Sequence, residues 1–568
     1  MRDVFGIGVV LCMVCFPNDA SWAAPTAVGK TWAIATGHPE ATRAGADVLR
    51  GGGNVMDAAV AASLTLGVAE PYGSGLGGKL VLLYYEADSE EVTCIEALCP
   101  SPQATDPTEF AALSSRERKY GFCAVCVPGL PAGLFAAHER WGSQDWASLT
   151  VPAERLAREG ITVTEAMHGL WAPHRRDLAA DPEAGRLYLI DGKTPAVGEK
   201  VANPDLADTL RRIGGRGVEE FYRDETARRI VAAARAAGSP LSLDDFASYR
   251  PNVTQPLAIN YRGYRVYSSP PPLTGGVTVL AALKSQESAA WPVGKLRDAV
   301  YIDRVSRSLQ VFYPGINEQV ADRPGAFDYA RRLLSDASIE AATKRAIELD
   351  PSDPDAVPVA THGGGTLDDL PDASTSHLVV ADAAGNMVSL TQSLSLHFGA
   401  AVVAPGTGVL LNDSMSNFAT NWKASPNYIA PGKRPRSTVA PVLATRDGLP
   451  TLALGIPGGQ RIPTTTLQLL VDSLGSDVPL DEAFDRDRFH LRRPITSKQP
   501  KNHVDIEEGN DPAGIKALRA DLEQRGWLTT GKPRNGRYFG GGNAIRYRPG
   551  GELFAVADPR RTNDAAAE

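Results

Sequence analysis

Ser374-Thr375-Ser376-His377 is the stretch on which the reading of this chain turns. Residues 345 to 374, behind it, are polar and rich in Asp, Pro and Gly. They include His362-Gly363-Gly364-Gly365 and read as a mobile surface linker. Ahead of it, His377–Ala381 reads as a strand. If the bond before Thr375 were cut, that residue would gain a free α-amine beside its hydroxyl. Such an amine has a pKa of ~7.7–8.0, so at neutral pH it can take the hydroxyl proton. Nucleophile and base would then sit on one residue. A Thr at a strand start is also an ordinary structural choice, and the local sequence leaves both readings open.

Further strands are expected at Met387–Gln392, Val409–Leu411, Ala440–Ala444 and Thr451–Leu454, bounded by turns such as Ala384-Gly385-Asn386. On the N-terminal side, Ala41–Leu49 reads as a helix stopped by Gly51-Gly52-Gly53. Asn54 then caps a second helix, Asp57 to Ala69. Lys79–Tyr85 and Val92–Ile95 read as a hairpin. Amphipathic helices follow around Asp145–Glu159, Leu206–Ile213 and Thr226–Ala237, and Pro270-Pro271-Pro272 forms a rigid turn before a helix start at Gly275-Gly276. Strands with helices to both sides predict a layered α/β sandwich with the helices outside.

The 568 residues carry a formal charge of −8 and are 43% hydrophobic. That composition excludes disorder, collagen and coiled coil as global descriptions. The acidic balance argues against a nucleic-acid partner, since phosphate binding wants a basic face. Met1-Arg2-Asp3, the apolar run Val4–Pro17 and the small-residue end before Ala24 fit a signal peptide over residues 1–23, implying a secreted or periplasmic protein. No later segment reads as a membrane span.

Cys12 and Cys15 would leave with that leader. For Cys94, Cys99, Cys123 and Cys126, disulfides, a zinc site and free buried thiols all stay open. Cys123-Ala124-Val125-Cys126 reads as part of a strand, which speaks against metal. Gly73-Ser74-Gly75-Leu76-Gly77-Gly78 matches a dinucleotide-binding pattern, but a helix precedes it and a strand follows, the reverse of what that motif needs. Two glycosylation sequons, at Asn252 and Asn412, carry little weight, and His490 reads as structural.

From about Ala33 to Arg561 the chain resembles the γ-glutamyltranspeptidase family of self-cleaving N-terminal-nucleophile hydrolases. The resemblance rests on Gly37-His38-Pro39, Gly52-Gly53-Asn54, Ser74-Gly75-Leu76-Gly77-Gly78, Val127-Pro128-Gly129 and Tyr261-Arg262-Gly263-Tyr264. Past the linker it continues in Thr375-Ser376-His377, Phe398-Gly399, Leu410-Leu411-Asn412, Pro457-Gly458-Gly459 and Asp558-Pro559-Arg560-Arg561. It implies one four-layer αββα sandwich built from a large subunit (24–374) and a small one (375–568), cut from a single precursor. It also implies Thr375 as nucleophile, Ser393 as the hydroxyl that activates it, and Gly458 and Gly459 as backbone oxyanion donors. No cofactor or metal is expected, and the partner is a small amide or peptide substrate.

The family's substrate clamp looks rewritten. The carboxylate-binding Arg aligns with Leu98, and the residues gripping the α-amino group align with Ser395, Ser414 and Asn417. The hydroxyl pair for the carboxylate persists as Ser437-Thr438. Arg is the bidentate carboxylate residue and Leu cannot substitute for it. Lys79, Arg434 and Arg436 are candidate replacement cations. The resemblance therefore implies an amide hydrolase or acylase whose acyl specificity has moved away from γ-glutamyl. A true γ-glutamyltransferase or glutathione hydrolase, and a non-catalytic binding relative, are the alternatives.

Overall fold

The computed structural model describes residues 23–292, 294–353, 373–492, 500–509, 511–534 and 537–568. The leader expected over residues 1–23 falls almost entirely outside these, as do Cys12, Cys15 and most of the linker, including His362-Gly363-Gly364-Gly365.

Two seven-stranded antiparallel sheets face one another. From edge to edge, the first runs Thr26–Gly29, Glu552–Ala557, Asn543–Arg548, Leu449–Gly455, Val442–Arg446, Tyr264–Ser268 and Leu257–Tyr261. The second runs Asp564–Ala567, Trp32–Thr36, Ala373–Asp382, Met387–Leu396, Lys79–Glu86, Glu91–Ala97 and Asn252–Thr254. Both sheets therefore interleave strands from before and after Thr375.

Lys79–Glu86 (KLVLLYYE) shows why the layers form. Leu80, Leu82 and Tyr84 pack with the helices on one side, and Val81, Leu83 and Tyr85 pack in the other core. A strand apolar on both faces belongs inside a stack. Against the second sheet lies the Val55–Ala69 helix, started by a capping box between Asn54 and Asp57 and apolar all round. The Pro39–Arg50 and Trp146–Glu159 helices cover it, so every face is buried. Thr274–Ser285, Ala299–Gln319 and Arg461–Gly475 form the helical layer of the first sheet. The architecture is the expected αββα sandwich.

Three local expectations are corrected. The linker does not begin at residue 345: Asp336–Glu348 is a helix, and Ser374 already belongs to the Ala373–Asp382 strand. Cys123–Cys126 is not a strand: Phe122–Ala124 is a short 3-10 turn. Val409–Leu411 makes only isolated bridges, Val403 to Leu410 and Gly77 to Leu411. All four described cysteines are free thiols, and Cys94, Cys99 and Cys126 are buried. Among the described residues, no cluster of His, Cys, Asp and Glu is arranged to hold a metal, and no helix is long and apolar enough to cross a membrane.

Candidate active site

The central strands Ala373–Asp382 and Met387–Leu396 pair in register except at Thr375, where the ladder is irregular between Ser374 and Ser376. This irregularity sets Thr375 at the mouth of the space between the sheets, 3% exposed. The chain runs uncut through this point. The Thr375 hydroxyl donates to the Ser374 carbonyl oxygen at 2.7 Å and lies 3.3 Å from Ser393 Oγ. The Ser393 hydroxyl donates to that same carbonyl at 2.5 Å. Two hydroxyls thus converge on one carbonyl oxygen, which polarises its carbon. Arg561 Nη1 holds the Thr375 carbonyl at 2.9 Å.

Behind Thr375, on the helix side, Ser376 Oγ donates to the buried Glu70 carboxyl at 2.6 Å, and Tyr72 donates to it at 3.0 Å. Burial pushes the Glu70 pKa upward, against those bonds and the nearby Arg561. Arg561 thus holds the Thr375 carbonyl and Glu70 the Ser376 side chain, both on the C-terminal side of the Thr375 nitrogen. Neither role is readable from a short motif, because both partners come from distant elements.

Gly458 and Gly459 precede the Arg461–Gly475 helix with φ of +150° and +58°. A Cβ on Gly458 would press on the backbone of Gly540. Neither N–H meets an acceptor among the described residues, and the adjoining helix N-terminus adds positive potential. Gly459 lines the cleft that also holds Thr375 and Ser393. Gly78 acts differently, since its missing Cβ lets the chain pass against the Ser393 carbonyl. The glycine-rich run at 73–78 therefore serves close packing.

Of the residues assigned to the clamp, Ser395, Asn417, Ser437 and Thr438 line this cleft. Thr438 Oγ1 donates to the Gly459 carbonyl at 2.9 Å, tying the hydroxyl pair to the glycine turn. Ser414 stands one layer back, its hydroxyl 3.1 Å from Ser395 Oγ. Leu98 is elsewhere, 2% exposed in the apolar core and bordering a separate cavity with Glu96, Tyr249 and Arg434. Arg434 is engaged in ion pairs with Glu96 (3.1 Å) and Asp322 (2.7 Å). Two cations do reach the cleft. Arg436 donates to the Asn317 carbonyl at 2.6 Å, and Lys79 donates to Ser395 Oγ at 2.7 Å. Asn317, Thr274 and Gln460 also line it, and no sequence motif marks them. His490, with Nδ1 2.9 Å from Thr464 Oγ1, is buried and structural.

This geometry coincides with broad similarity to known proteins. The gamma-glutamyltranspeptidase family pattern matches residues 41–568. The chain belongs to that family. It is 32% identical to glutathione hydrolase 2 of Arabidopsis thaliana over 93% of this chain and 92% of that one. It is also 32% identical to the acylase ACY 1 proenzyme of Pseudomonas sp. strain SE83, over 94% and 92%. The crystal structure of a cephalosporin acylase from Bacillus halodurans superposes with a TM-score of 0.84 at 27% identity, over 99% of each chain. As a member of the γ-glutamyltranspeptidase family the protein is an enzyme, and its relatives include both hydrolases of glutathione and acylases.

Proposed function

We propose that this γ-glutamyltranspeptidase homologue cuts itself between Ser374 and Thr375 and then acts as an amide hydrolase or acylase through Thr375. In the cut, Thr375 Oγ adds to the Ser374 carbonyl carbon, the C–N bond breaks, and the nitrogen leaves as the Thr375 amine. Water then hydrolyses the ester between Ser374 and Thr375. The convergence of the Thr375 and Ser393 hydroxyls on the Ser374 carbonyl is the observation that carries this reading. Because both sheets interleave strands from either side of the cut, the two chains stay together.

In turnover the free amine takes the hydroxyl proton while Oγ adds to the substrate carbonyl carbon. The amide C–N bond breaks, the leaving amine takes the proton, and an ester remains on Thr375 until water or another amine removes it. Gly458 and Gly459 stabilise the oxyanion of each addition, an effect of ~2.7–4 kcal/mol per donor.

The acyl specificity lies away from γ-glutamyl. An amino acid head group needs an acid for its ammonium, and no Asp or Glu lines the cleft among the described residues. Leu98 and Arg434 do not reach it. The test is a panel of acyl anilides on processed enzyme, with Thr375→Ala as control. Simple acyl anilides should be turned over and γ-glutamyl anilide poorly. Equal turnover of γ-glutamyl anilide would favour a glutathione hydrolase. The leader-like residues 1–23 support export, which the N-terminal sequence of the mature protein tests.

A further inference from the structure

The geometry points to Lys79 as the anchor for a carboxylate at the far end of the acyl group, so that the preferred substrates are monoamides of simple dicarboxylic acids. The inference rests on the acylase reading and names its substrate class.

Lys79 opens its strand directly opposite Ser393 on the neighbouring antiparallel strand. Residues so opposed project on the same face, with Cβ atoms ~4.5–5.5 Å apart. That register places an ammonium beside the hydroxyl that touches Thr375. Lys79 is 4% exposed, yet it lines the cleft. Its Nζ makes one hydrogen bond, to Ser395 Oγ, which leaves two N–H groups without a partner. Among the described residues no carboxylate lies within 4.0 Å of it. Burial pushes its pKa down, and the acidic groups felt through space are the thiols of Cys99 and Cys126 and the carboxyl of Asp413, which is turned to the Leu396 N–H and the Ser416 hydroxyl. Burying an ammonium without a paired anion is costly, and a carboxylate entering the cleft would remove that cost. Ser395 and Asn417 complete the surroundings: both are neutral, and Asn417 leaves Oδ1 without a partner and can present either end of its amide. An α-ammonium on the same acyl group would instead face Lys79 and Arg436 with no acid lining the cleft.

Glutaryl anilide is the discriminating substrate, since it is γ-glutamyl anilide without the amine. Butyryl anilide lacks the carboxylate. Lys79→Met should lower kcat/KM for glutaryl anilide by roughly 10- to 100-fold more than for butyryl anilide, the worth of one charged hydrogen bond. Equal loss on both substrates, or no loss on glutaryl anilide, overturns the proposal. Calorimetric titration of glutarate and of the neutral butyramide into wild-type and Lys79→Met protein reads the site without anilide turnover. Glutarate should bind the wild type more tightly than butyramide and lose that advantage in the variant. Should the variant fail to fold, equal binding of glutarate and butyramide by wild type overturns the proposal. Lys79-dependent glutarate binding without anilide turnover would instead sink the acylase reading and leave the anion site standing.

Discussion

The Thr375 hydroxyl lies 2.7 Å from the carbonyl oxygen of Ser374, the residue to which it is peptide-bonded. A hydroxyl in that position needs little motion to add to the adjacent carbonyl carbon. Purified wild-type protein should therefore run as two chains, the smaller beginning at Thr375. Thr375→Ala should remain one chain with an unchanged melting temperature, as read by denaturing electrophoresis, N-terminal sequencing and calorimetry.

Ser393 donates to the same carbonyl. Ser393→Ala removes that donor at the point where negative charge develops. Self-cleavage should slow by roughly 10²–10³-fold, the usual cost of one oxyanion donor. Incubating the purified precursor and following the cut over time measures it.

Gly458 holds φ of +150°, with Gly540 backbone 3.2 Å from where a Cβ would sit. Gly458→Ala should cost about 1–3 kcal/mol in stability through strain. It should cost more in kcat, because the turn that aims both N–H groups must shift. Urea denaturation and steady-state kinetics on one preparation separate the two effects.

Arg434 is part of an ion-pair group with Glu96, whose side chain is 2% exposed, and with Asp322. Arg434→Met leaves both acids unpaired and should destabilise the fold by on the order of 3 kcal/mol. The glutaryl-to-butyryl preference should survive in the folded fraction. A lost preference would return Arg434 to the substrate site.

His377 is buried beside Thr391, and burial alone pushes its pKa down to about 3. Below pH 6.5 the unfolded chain binds a proton that the folded chain refuses, so this group's contribution is present above that pH and is lost as pH falls toward 3. For His377 alone the slope is ~1.4 kcal/mol per pH unit. His377→Asn should flatten the urea-stability profile between pH 4 and 6.5 by about that slope.

The strands around Thr375 are legible in the sequence because alternation and turn residues are local signals, and the Asn54 cap and the Gly51–Gly53 stop are legible for the same reason. Val409–Leu411 misleads because an apolar triplet packs as well in an irregular segment as in a strand. Alignment puts Leu98 at the substrate, but its strand end turns it into the core, where only three-dimensional packing decides. Lys79 is visible as an oddity, yet its position opposite Ser393 depends on the register between strands from opposite halves of the chain. The roles of Glu70 and Arg561 are illegible for the same reason.

If Thr375 becomes an N-terminal nucleophile that carries the acyl group, intact-mass spectrometry of the protein, quenched in acid during turnover of an acyl anilide, will show it. The expected result is a separate chain starting at Thr375, heavier by one acyl group, with the adduct confined to its N-terminal peptide. An uncut chain that still turns over substrate, or an adduct on any other residue, would contradict it.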